Sequence, residues 1–125
     1  MENRNTLIDL VSRTAKSVKI PFTVGGGIDS ISAINDLLRA GADKVSLNSS
    51  AVRNPSLISK SSKQFGAQCI VIAIDAKRKL TNPHEWEVYV KGGRENTGMD
   101  VLTWARRVED LGACLLYTSD AADEV

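Results

Sequence analysis

Histidine is almost missing from this sequence: His84 is the single one in 125 residues, and cysteine occurs only at Cys69 and Cys114. One imidazole and two widely separated thiols have no ligand spacing for zinc, so no metal is expected. The same two thiols are too few for a disulfide framework. Cys69 lies in an apolar run and reads as a small buried hydrophobe, and a reducing, cytoplasmic compartment is the expectation. An excess of charge of one sign is missing too. Sixteen Lys and Arg stand against fifteen Asp and Glu, and the longest basic run is Lys77-Arg78-Lys79. Neither nucleic acid nor an anionic membrane surface has an electrostatic footprint here. No apolar stretch approaches the roughly 20 residues needed to cross a bilayer. The polar opening, Met1 to Asn5, lacks the apolar segment of a signal peptide.

What is present is the 42% hydrophobic, 25% charged composition of an ordinary globular chain, at the length of one modest domain. Helix and strand patterns alternate along it. Leu7, Ile8, Leu10, Val11, Ala15 and Val18 fall near helical spacing and predict a helix over residues 4–18. Pro21 holds Ile20 extended, and Phe22-Thr23-Val24 reads as a short strand ending in Gly25-Gly26-Gly27. Asp29 or Ser30 caps the next helix, which carries Ile31, Ile34, Leu37 and Leu38 and stops at Gly41. The cycle then repeats. Lys44 to Asn48 is strand-like, Ser49-Ser50-Ala51 a turn, and Asn54-Pro55 a helix start leading to Leu57, Ile58 and Phe65. Cys69 to Ile74 is a strand apolar on both faces, as strands of covered parallel sheets are. A third helix over 99–111 turns Val101, Leu102, Ala105, Val108 and Leu111 inward. Between them, Trp86 to Val90 alternates and predicts a hairpin inserted within 76–98. Serial βα units imply a parallel sheet, either open or closed into a barrel.

Ligands of such sheets bind at the carboxyl ends of the strands. After the first strand, Gly25-Gly26-Gly27 can bring backbone N–H groups to an anion, although a tight turn accounts for the glycines equally well. No Gly-Lys-Ser/Thr follows, so this is not a P-loop. Asn48, Ser49 and Ser50 after the second strand offer short polar donors, or plain turn chemistry. Asp75 follows six apolar residues, so its carboxylate is expected at the mouth of the sheet, able to exchange a proton with a substrate; an ion pair with Lys77 or Arg78 is the plainer role. His84 is expected in a solvent-exposed loop, and Trp104 in packing.

These segments together resemble a known family. Phe22 to Ile28, Ala40 to Val52 with Asn54-Pro55, Ala73 to Arg78, Trp86 to Tyr89, Gly92-Gly93-Arg94 and Thr97-Gly98 are similar to the cyclase subunits of imidazole glycerol phosphate synthase. The likeness covers about residues 4–113 and implies a (β/α)8-barrel, here partial, with about four parallel strands. It implies a histidine-pathway lyase without a cofactor. Ammonia from a glutaminase partner would react with a bis-phosphorylated ribulosyl aminoimidazole-carboxamide nucleotide, giving imidazole glycerol phosphate and aminoimidazole-carboxamide ribotide. By the same likeness Asp75 is one of two catalytic aspartates. Gly27, Asn48 and Ser49 hold one substrate phosphate, and Lys44, at the opposite end of its strand, belongs to a gate for ammonia.

A complete barrel takes about 250 residues. Residues 1–113 are therefore expected to be its central part, lacking the strand with the second aspartate and the half that holds the second phosphate. Cys114 to Val125 resembles translated sequencing adapter more than a barrel strand, and the expectation is a non-native tail. The alternatives are the sister phosphoribosyl isomerase, whose second motif usually has Gly-Thr where Asn48-Ser49 stands, or a non-catalytic phosphate-binding fragment.

Overall fold

A computed structural model describes residues 2–82 and 84–119. The order is α1 (Glu2–Ser17), β1 (Thr23–Gly25), α2 (Ile31–Ala40), β2 (Lys44–Leu47), α3 (Ser49–Arg53), α4 (Ser56–Phe65), β3 (Ile70–Arg78), β4 (Trp86–Val90), β5 (Glu95–Asp100), α5 (Val101–Asp110) and β6 (Cys114–Ser119). β1, β2, β3 and β6 run parallel, in that spatial order. This is a partial barrel wall of four parallel strands, as expected.

β3 is long enough to serve two partners on one edge. Its first residues, Ile70 to Ile72, pair with β2, and Asp75 to Arg78 pair antiparallel with β4. Asp75 and Ala76 also pair with β6. A strand has two edges, so β4 must take over the edge that β2 leaves. The β4–β5 hairpin is thereby carried across the carboxyl end of β2. That placement shapes the site.

The two faces of the wall differ chemically. Val45, Leu47, Ile70, Ile72 and Ile74 are buried on the side covered by α2, α4 and α5, with Ile34, Leu37, Ile58, Trp104 and Val108 packed there. Each such side chain contributes about 1.5–3 kcal/mol by leaving water. The alternate residues Lys44, Ser46, Ala73 and Asp75 are half-buried on the other face. In a (β/α)8-barrel that face is the interior.

Several expectations are corrected. Ser49-Ser50-Ala51 is the start of α3 and no simple turn, because the Asn48 carbonyl accepts from Ala51 and Val52 N–H. Asn54 does not cap α4 through a backbone N–H; its Oδ1 accepts from the Ser56 hydroxyl at 2.7 Å. Cys69 ends a 3-10 turn and is half-exposed, not core. Leu102, read as inward, is 63% exposed, and Leu10, counted in the apolar spacing of α1, is 59% exposed; Trp104, expected in packing, is 2% exposed. Apart from these corrections, residues 114–119 of the expected tail pair as strand β6, with Val71 opposite Cys114 through to Ala76 opposite Ser119. The free edge of β3 needs partners for its N–H and C=O groups, and an extended apolar segment supplies them.

Candidate functional site

The carboxyl ends of β1 and β2 open onto one cavity of about 520 Å³, within the usual range of about 300–1,000 Å³ for small-molecule sites. Gly26, Gly27, Ile28, Asn48, Ser49 and Ser50 line it from the two strand ends, and Ser46 and Ala73 from the sheet itself. The loop after β1 is locked by local chemistry. Ser30 Oγ accepts from Ala33 N–H at 3.1 Å and starts α2, and the buried Ser50 hydroxyl donates to the Ile28 carbonyl. Gly27 has φ of 64°, with no heavy atom within 4 Å of where a Cβ would stand. The backbone there faces open space in which a ligand can approach.

Asp75 joins this group through one hydrogen bond. Asn48 Nδ2 donates to Asp75 Oδ2 at 2.9 Å. The other amide atom of Asn48, Oδ1, is buried without a hydrogen-bond partner, an arrangement that costs stability unless a ligand donor or solvent completes it. Gly27, Asn48, Ser49 and Asp75 are thus neighbours at one rim. Lys44 is not. It sits four residues before Asn48 on β2, roughly 13 Å away at about 3.3 Å per residue, beside Thr23 at the amino end of the wall. His84 is exposed in the loop before β4.

The structure adds residues that strand-end reasoning missed. Arg53 from α3, and Lys91, Gly92 and Arg94 from the β4–β5 turn, line the same cavity, as does Asp29. Lys91 N–H donates to Ser49 Oγ at 3.0 Å across 42 positions of sequence. Lys91 has a φ of 56°, the one positive value among described non-glycine residues. A hairpin was expected here, but its fold-over depends on β4 displacing β2 along β3, which local patterning does not encode. The raised pKa of Lys79 belongs elsewhere. It comes from the hydrogen bond and charge of Glu85, in a solvent-exposed pair away from the cavity.

Parallel strands with helices on one face, and a cavity at their carboxyl ends, have the layout of one part of a (β/α)8-barrel. The family model for histidine biosynthesis proteins matches residues 1–123, and the chain belongs to that family. Imidazole glycerol phosphate synthase subunit HisF of Prochlorococcus marinus strain MIT 9312 is 84% identical over 98% of this chain, which is 48% of that protein. The corresponding subunit of strain NATL2A is 64% identical over the same shares. The chain spans about half the length of the curated relatives it matches.

Proposed function

We propose that the protein to which this chain belongs is the cyclase subunit of imidazole glycerol phosphate synthase. In this reading it takes ammonia from a glutaminase partner and a bis-phosphorylated ribulosyl aminoimidazole-carboxamide nucleotide. It forms imidazole glycerol phosphate and aminoimidazole-carboxamide ribotide. The observation that carries the reading is the hydrogen bond from Asn48 to Asp75 beside a cavity lined by Gly27 and Ser49. A phosphate held by Gly27, Asn48 and Ser49 leaves the rest of the substrate within reach of one carboxylate, which can give and take protons as general acid and base. Lys44, at the other end of the interior face, suits a gate through which ammonia enters. The names of the relatives support the same assignment. Residues 1–113 form the central barrel part in this account, and no role is assigned to residues 114–125.

The test uses the protein at the length of its relatives. Ammonia-dependent turnover is expected in the parent. Asp75→Asn is expected to lower kcat by at least about 100-fold, with an unchanged far-UV spectrum and melting temperature. Full activity in the variant, or turnover of the sister isomerase's substrate instead, would overturn the reading.

A further inference from the structure

Neutral donors alone leave the charge of a phosphate unmatched. Gly27, Asn48 and Ser49 carry no charge, and the carboxylates of Asp29 and Asp75 stand at or beside the same cavity. A phosphate monoester brings about −1.5 to −2 at neutral pH. Cations must come from somewhere on the cavity wall: Arg53 of α3 is on it, and Lys91 and Arg94 are on it together, from one turn that is bonded to Ser49.

We propose that the β4–β5 turn is an anion clamp: Lys91 and Arg94 bind phosphate oxygens, while Lys91 N–H holds Ser49 so that its hydroxyl proton points to the ligand. A hydroxyl has one proton and two lone pairs. Because Ser49 Oγ already accepts from Lys91 N–H at 3.0 Å, its own proton is available for donation. The turn is braced from a second side, where Lys77 Nζ donates to the Gly93 carbonyl at 2.8 Å. Arg94 Nε donates to the Lys91 carbonyl at 3.0 Å, which fixes the near end of a guanidinium whose planar fork suits phosphate. Lys91 Nζ meets Glu95 Oε2 at 2.9 Å, with both side chains more than half exposed. Such a pair contributes little, so a dianion can exchange for it. The left-handed backbone of Lys91, at φ of 56°, is a conformation that costs a non-glycine residue stability and is found often at ligand clamps.

The inference rests on the phosphate reading of the cavity, and its test separates the two. Inorganic phosphate is the probe, titrated by calorimetry into the protein at the length of its relatives. Lys91→Gly keeps the N–H and the backbone conformation but removes the ammonium; Lys91→Asn does the same with a less flexible turn. Each, and Arg94→Gln, is expected to weaken phosphate binding by about tenfold and to flatten its dependence on ionic strength. Substrate KM rises while kcat holds, and Arg94→Lys recovers part of the loss. Arg106→Gln, on the exposed side of α5, leaves the affinity unchanged. If phosphate binds with this dependence but the nucleotide is not turned over, the clamp stands and the cyclase reading falls. If turnover proceeds and Ser49→Ala weakens phosphate while both turn variants do not, the clamp alone is overturned. Absence of phosphate binding in the parent overturns both.

Discussion

Gly27 and Gly41 both adopt positive φ, yet their surroundings differ in a way that separates binding from stability. At Gly27 an added methyl meets no neighbour within 4 Å, so Gly27→Ala costs the fold about 1 kcal/mol for the backbone conformation. The methyl does enter the space left for a ligand, and phosphate affinity is expected to fall as well. At Gly41 the same methyl would stand 2.3 Å from Ala15 Cβ, where α1 closes on the end of α2. Overpacking adds about 1–3 kcal/mol there. Denaturant unfolding is expected to show Gly41→Ala as the less stable variant, with normal phosphate affinity in its folded fraction. The glycine run and Asp75 were legible in the sequence because each directly follows an apolar run, although β3 continues through Asp75 to Arg78. Lys91 and Arg94 were not, since their role depends on a contact 42 positions away. Cys69 was misread because an apolar run continues into it while the backbone has not yet left its 3-10 turn.

α2 and α5 begin with well-formed caps, Ser30 to Ala33 N–H and Asp100 to Thr103 N–H, at 3.1 and 3.0 Å. Replacing either cap with alanine is expected to lower unfolding free energy by about 1 kcal/mol; the Asp100 variant keeps its ligand affinity while the Ser30 variant, which loosens the loop carrying Gly27, weakens it, a split that paired calorimetric and denaturant titrations would reveal. Helix faces were legible only in part. Val101, Ala105 and Val108 follow the expected stripe and Trp104 packs as expected, but Leu102 points to solvent. Leu102 and Trp104 are two positions apart and so on opposite sides of the helix, and hydrophobicity alone does not say which of the two sides meets the sheet. α3 escaped notice for a different reason: five residues rich in serine carry no periodic signal.

Four parallel strands make a wall with helices on one face, and the other face carries Lys44, Ser46, Ala73 and Asp75 half-buried. Among the described residues β1 pairs only with β2, and β6 only with β3. Unpaired strand edges recruit other strands, so the 125-residue polypeptide expressed alone is expected to self-associate in analytical ultracentrifugation; a monomer that melts cooperatively would show that this wall is complete as it stands. Periodicity predicted a parallel sheet but left open whether it closes, because an open sheet and a barrel share the same βα repeat; the motif resemblance supplied the barrel. The central claim is spatial, that successive strand tips converge so an anion and an acid share one rim. A crystal structure of the relative-length protein soaked in inorganic phosphate tests this most directly. The account predicts phosphate density against Gly27, Asn48 and Ser49 on the side of Asp75, with Lys91 and Arg94 turned onto it. Phosphate bound at the amino end beside Lys44, or Asp75 turned away from that cavity, would contradict it.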